Sequence, residues 1–168
     1  MPSVYRDFTI RPWKPRDREV AARVICSVLM EYGLPWQPEA ADRDVVGVES
    51  HYWQTGGEFW VVERDSELVG TGAYYPRDRG DRAVEIRKMY LLPKARGQGL
   101  GWFLLQELEA AVAARDWHEI WLETATVLAA AVRLYERNGY QPATGVDTPR
   151  CDRIYVKNLR SPLPPSDR

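Results

Sequence analysis

Ala83-Val84-Glu85-Ile86-Arg87-Lys88-Met89-Tyr90-Leu91-Leu92-Pro93-Lys94-Ala95-Arg96-Gly97-Gln98-Gly99-Leu100-Gly101 decides how the rest of the chain is read. An alternating strand ends at a proline and a basic, glycine-rich loop follows. Leu100, Leu104, Leu108, Ala111 and Val112 then recur at three- and four-residue steps, so that a helix running to Arg115 carries one apolar stripe. The start of a helix presents unpaired N–H groups and a partial positive charge. Glycines let a phosphate come close to the backbone, and Arg96 adds a positive charge beside it, so the junction reads as a phosphate or pyrophosphate site. A dinucleotide fingerprint fails on spacing, because glycines at 97, 99 and 101 leave Trp102 where the third should stand, and the Gly-Lys-Ser/Thr ending of a P-loop is absent. The remaining alternative is a turn that merely joins strand to helix. Three glycines in five residues after an arginine favour the anion site over it.

Upstream, Phe8 to Pro12 reads as a first strand, and Val20, Val24, Val28 and Leu29 mark a helix running to Tyr32 and stopped by Gly33. Two prolines keep Leu34 to Pro38 irregular. A second helix is predicted with Asp42 or Asp44 as cap and Val45, Val48 and Tyr52 inward. Glu58–Glu63 and Leu68–Tyr75 form a hairpin about Arg64-Asp65-Ser66-Glu67. Downstream come a strand at Glu119–Thr124, a helix from Leu128 to Asn138 stopped by Gly139, and strands at Tyr140–Ala143 and Arg153–Asn158. The order β-α-α-β-β-β-α-β-α-β-β is mixed α/β. Residues 1–160 read as one domain and the proline-rich 161–168 as a flexible tail.

Composition narrows the function classes. With 168 residues, 45% hydrophobic and 28% charged, the chain can bury a core, and a formal charge of −1 gives no global attraction to nucleic acid or an anionic membrane. The basic run Arg77, Arg79, Arg82, Arg87, Lys88, Lys94 and Arg96 is interleaved with Asp78, Asp81 and Glu85, which suits solvated charge plus one phosphate site. Cys26 and Cys151 make no metal spacing and read as free thiols. His51 and His118 stand alone, so no metal is implied. No long apolar run or signal-peptide core is present, and a cytoplasmic location is expected.

Arg96-Gly97-Gln98-Gly99-Leu100-Gly101, preceded by a strand and Pro93, resembles the acyl-CoA pyrophosphate loop (R/Q-x-x-G-x-G/A) of GNAT-superfamily acetyltransferases. Leu134-Tyr135-Glu136-Arg137-Asn138-Gly139-Tyr140, after the strand Ile120-Trp121-Leu122-Glu123-Thr124, is similar to that family's segment ending LYE-x-x-GF/Y. The two blocks span residues 83 to 140. The resemblance implies a central mixed sheet of six to seven strands flanked by about four helices. It also implies an N-acetyltransferase that moves an acetyl group from acetyl-CoA to an amine by direct attack. A non-catalytic acyl-CoA-binding module is the rival, and a longer acyl group or an O-acceptor a third possibility.

By the same resemblance, main-chain groups of Met89, Tyr90 and Leu91 would hold the thioester arm. Residues Arg96, Gly97, Gln98, Gly99, Leu100 and Gly101 would hold the pyrophosphate, and Tyr135 would protonate the departing thiolate. Glu85 is the first choice for the base and Glu123 the second, with a water chain as a third route. Strict alternation puts Glu85, Arg87 and Met89 on one face and Tyr90 on the other unless a bulge intervenes. Where family members commonly carry an asparagine seven residues before the helix tyrosine, this chain has Leu128. The acceptor, a small-molecule amine or a protein amino group, is expected near Tyr32 to Pro38. Trp36, Trp53, Tyr74 and Tyr75 are its expected walls, with Glu31, Glu39 or Glu85 suited to a cationic amine. A homodimer fits such folds.

Overall fold

The computed structural model describes residues 2–160, and the tail expected at 161–168 lies outside them. One mixed sheet holds eight strands: β1 (Ser3–Tyr5), β2 (Phe8–Pro12), β3 (Glu58–Arg64), β4 (Glu67–Arg77), β5 (Ala83–Leu91), β6 (Glu119–Thr124), β7 (Gln141–Pro142) and β8 (Arg153–Asn158). Their spatial order is β1-β2-β3-β4-β5-β6-β8-β7. The helices among the described residues are α1 (Arg18–Glu31), α2 (Arg43–Val46), α3 (Val48–His51), α4 (Leu100–Ala114) and α5 (Ala129–Arg137).

The mixed α/β expectation holds, with one strand more than the upper expectation. Ser3–Tyr5 pairs with β2 through a turn in which Arg6 takes φ +53°, and three residues are too few to show a period. The single helix expected after Asp42 is instead two one-turn helices, broken at Gly47, whose φ −112° and ψ 57° are not helical.

Two cores lie on opposite faces of the sheet. Leu100, Leu104, Leu105, Leu108 and Val112 of α4 pack with Val132 and Tyr135 of α5 on one face, against Phe8, Val62, Val84, Ile86 and Ile120. Ala21, Val24, Ile25 and Leu29 of α1 pack with Val45, Val48 and Tyr52 on the other, against Phe59, Val61 and Ala73.

All neighbouring strands run antiparallel except β5 and β6, which are parallel, as a crossover through α4 requires. That pairing extends only from Ala83↔Glu119 to Glu85↔Trp121. Beyond it β5 continues to Leu91 and β6 to Thr124 without a shared ladder, so the sheet opens into a wedge.

A bulge sits where the wedge begins. Thr71 pairs with Tyr90 but Ala73 with Arg87, so Lys88 and Met89 together oppose Gly72. Lys88 adopts φ +52°, and the Thr71 hydroxyl donates a 2.6 Å bond to its carbonyl. The bulge resets the alternation: Val84, Ile86, Met89 and Leu91 meet the α4 core, while Tyr90 meets the α1 core. Met89 and Tyr90 have thus exchanged the faces that strict alternation predicts. Thr71→Val removes a buried bond and leaves a carbonyl unpaired, so it should lower stability by about 1–3 kcal/mol. Urea unfolding measures this, and an unchanged midpoint would mean that the bond does not hold the bulge.

Candidate active site

The wedge is a cleft of about 600 Å³. Its walls are Met89, Tyr90 and Leu91 of β5, Arg96, Gly97, Gly99 and Gly101 of the loop and helix start, and Leu128, Leu134 and Tyr135 from the α5 side. Seven of the nine residues expected to hold acetyl-CoA therefore line one cleft. The side chains of the other two do not line it. Gln98 points its carbonyl at the Tyr5 hydroxyl, 2.8 Å away, and Leu100 is buried in the α4 core.

Gly99 caps α4 in the left-handed region, at φ +82°, and a Cβ there would lie 2.5 Å from the Tyr5 hydroxyl oxygen. Gly97, also left-handed at φ +75°, has open space where its Cβ would be. The Phe103 N–H bonds to the Gly99 carbonyl, so the N–H groups of Leu100, Gly101 and Trp102 precede the helix ladder and are of the kind that can donate to an anion. The loop thus fits a pyrophosphate.

Arg96 lines the cleft with its charge already paired. Its guanidinium bonds both Glu31 carboxylate oxygens at 2.7 and 2.8 Å and the Leu91 carbonyl at 3.0 Å, tethering the loop to α1 and β5. The bond from Arg96 also holds the Glu31 carboxyl below its ordinary range.

Tyr135 is 5% exposed, with its hydroxyl 4.0 Å from Met89 Sδ. Burial, reinforced by Tyr90 and Cys151, raises its pKa well above that of an ordinary tyrosine, so it holds its proton at neutral pH. Leu128, in the asparagine position, supplies an apolar wall.

A second cavity, of about 50 Å³, shares Met89, Tyr90, Leu128, Ala131 and Tyr135 with the first and adds Leu34, Arg87, Lys88, Glu123, Arg150 and Cys151. Burial pushes the Cys151 thiol up to about 11, so it is a protonated wall residue.

The structure separates the two candidate bases. Glu123 lines the small cavity, but its oxygens accept from the N–H groups of Asp147 and Thr148 and from the Thr148 hydroxyl. Glu85 lines neither cavity. It lies 4% exposed behind them, 3.3 Å from Arg77 Nε, 3.7 Å from Arg87 Nη1 and 3.5 Å from the Tyr75 hydroxyl. Burial raises its pKa, and Arg87 and Arg77 oppose the rise without cancelling it.

Other expected walls are elsewhere. Tyr74 is fully buried and donates to Glu58, Trp53 packs edge-on against Trp13, and Trp36 joins the α1 core. Tyr75 is bound by Arg77 and Arg87 at the edge of the site. His118 is pinned between Asp81 and Asp116.

Sequence reasoning missed Arg87, Lys88 and Arg150 as site residues; of the two expected caps, Asp42 does stand at the N-cap of α2, but its side chain makes no cap bond. Lys88 Nζ lies 2.9 Å from Asp42 and 3.4 Å from Asp44, and Arg150 grips Asp42 with two 2.6 Å bonds. Burial pushes the Asp42 carboxyl up, but the Arg150 bond and the Lys88 charge outweigh it and hold Asp42 below its ordinary value. No local signal joins residues 42, 88 and 150.

The profile of the acetyltransferase (GNAT) family matches residues 23–140. The uncharacterized N-acetyltransferase YjgM of Escherichia coli (strain K12) is 37% identical over 131 residues, covering 75% of this chain and 77% of that protein. In fold, a GNAT-family acetyltransferase from Staphylococcus aureus Mu50 superposes with TM-score 0.84 at 20% identity, covering 91% of this chain and 99% of that one. YncA of Salmonella typhimurium, solved with its cofactor acetyl-CoA, superposes with TM-score 0.73 at 20% identity, covering 95% and 98%. The chain belongs to the acetyltransferase (GNAT) family. It is an N-acetyltransferase that takes its acetyl group from acetyl-CoA.

Gly99→Ala should strain the helix cap and displace Tyr5. Acetyl-CoA at a hundredfold excess over Kd stabilises a binding protein by about 2.7 kcal/mol. The thermal shift with acetyl-CoA should be present in the wild-type protein and largely lost in Gly99→Ala. Full retention would mean that the loop is not the pyrophosphate site.

Proposed function

We propose that the chain acetylates a small-molecule amine, with Tyr135 as the acid and Glu85 as the proton acceptor. Tyr135, as the shared wall of the large cleft and the small cavity, is the observation that carries this reading. Acetyl-CoA supplies an acetyl group activated as a thioester. Main-chain groups of Met89, Tyr90 and Leu91 would hold its arm, and the first N–H groups of α4 its pyrophosphate. An amine in the small cavity then faces the thioester beside Tyr135.

The chemistry needs a neutral amine and a proton for the leaving thiolate. Tyr135 supplies that proton: its buried phenol stays protonated, and it lies within reach of both compartments. Glu85 accepts the amine proton through water, because it lines neither cavity. Its raised pKa brings its proton affinity nearer to neutrality, and Tyr75 and Arg87 stand between it and the cavity. Glu123 is the second reading, because it is the carboxylate in the cavity wall. The small cavity favours a small molecule over a protein as acceptor. The cytoplasm as compartment rests on the apolar patterning of the sequence and a homodimer as assembly on the resemblance; among the described residues no helix is long and apolar enough to cross a membrane.

Tyr135→Phe should lower kcat by about 10²–10⁴-fold while leaving acetyl-CoA affinity near wild type. A non-catalytic acyl-CoA-binding module would lose nothing. With Glu85 as base, kcat/KM falls as pH drops through its raised pKa, because the protonated carboxyl accepts no proton. The acid limb should therefore lie above the ordinary glutamate range and vanish in Glu85→Gln. An acid limb that survives in Glu85→Gln but vanishes in Glu123→Gln would move the base to Glu123.

A further inference from the structure

The geometry points to an acceptor of the α-amino-acid type, whose carboxylate is bound by the free edge of the Arg150 guanidinium. The inference rests on the reading of the small cavity as the acceptor side. Arg150 lines that cavity with its side chain 6% exposed. A guanidinium has two edges that match a carboxylate: the end, formed by the two Nη groups, and the side, formed by Nε and one Nη.

Asp42 takes the end of Arg150, with Oδ2 2.6 Å from Nη1 and Oδ1 2.6 Å from Nη2, while Nη1 also donates to the Pro35 carbonyl at 3.1 Å. Among the described residues Nε and the second Nη2 hydrogen have no acceptor. The side edge is therefore a preformed fork, held in place by Asp42 from behind.

The other cations of the cavity do not compete for that role. Lys88 Nζ donates to the Ala41 carbonyl at 3.2 Å and is paired with Asp42 at 2.9 Å, with Asp44 Oδ1 3.4 Å away. Arg87 donates to the Tyr75 hydroxyl and the Ala41 carbonyl and lies 3.6 Å from Asp44. Asp42 and Asp44 line neither cavity, so anions sit behind the cations and donors face inward. Glu123, the one carboxylate in the wall of the small cavity, has its oxygens turned to the N–H groups of Asp147 and Thr148 and the Thr148 hydroxyl.

Size restricts the acceptor further. Arg150 and Tyr135 line the same cavity of about 50 Å³, so a molecule bound at both must carry its carboxylate a few bonds from its amine. An α-amino acid satisfies this. A diamine or a polyamine would bring a second positive charge against Arg87, Lys88 and Arg150.

The test is a thiol-release assay with acetyl-CoA over the common α-amino acids, each paired with its carboxamide and its decarboxylated amine, on the wild-type enzyme and on Arg150→Lys. Lysine keeps the charge for Asp42 but has no second edge. At least one amino acid should show kcat/KM ten or more times that of its amide. In Arg150→Lys that ratio should fall towards one, through KM rather than kcat. A structural role for Arg150 would lower both members of a pair equally and keep the ratio, which would overturn the assignment. Preference for amides or amines, or no turnover in any series, would also overturn it. A retained thermal shift with acetyl-CoA in the last case would leave the cofactor site standing.

Discussion

The buried contact between Lys88 and the carboxylates of Asp42 and Asp44 is the constraint on which the rest of the site depends. Lys88 sits in a backbone conformation that side chains rarely adopt, at the centre of a bulge, with its side chain 2% exposed. Burial pulls its pKa down, and the attraction of Asp44 and Asp42 works against the fall. Removing one partner from such a buried pair typically costs about 3–5 kcal/mol, because the other charge is left without compensation. The pair thus ties the irregular segment after α1 to the one place where β5 stops following β6.

That place determines what the sheet can do. Up to Glu85, β5 and β6 share a ladder and a core; beyond it the strands part, and the gap between them is wide enough for a nucleotide-sized ligand. The bulge turns Met89 and Leu91 towards α4 and α5 and Tyr90 towards α1, so the strand that would hold the thioester presents side chains to both sides of the gap. Gly99 starts α4 at the same end of the gap, and Tyr135 closes it from α5. The glycine loop, Tyr135 and the small cavity all stand around one interrupted strand pairing.

Charge is organised around the same gap by pairing. The basic run that begins at Arg77 is met side chain by side chain: Arg77 by Glu85 and Asp147, Arg79 by Asp147, Arg82 by Asp116, Arg87 by Asp44, Lys88 by Asp42, Lys94 by Glu67 and Arg96 by Glu31. Paired in this way, these side chains add little net field around the gap. A ligand can take directional hydrogen bonds from main-chain N–H groups at the start of α4 and from single edges of guanidinium groups, and Arg133 and Arg137 stand in the wall of the large cleft.

The sequence by itself determined those features that are local: the glycine loop between strand and apolar helix, the hairpin about Asp65-Ser66, the helix ending at Gly139, and Tyr135 within its motif. Each depends on neighbours along the chain, through period, φ preference or capping, and is legible there. Tertiary structure alone decided the bulge at Lys88, the pairing of Arg96 with Glu31, the place of Glu85 behind the cavity and of Glu123 in its wall, and the meeting of Asp42, Lys88 and Arg150. The one-turn helices after Asp42 belong with these, since their break at Gly47 accompanies the docking of Asp42 and Asp44 onto β5. These features arise between groups brought together from distant parts of the chain, where burial and charge compensation set the geometry and no sequence period records it.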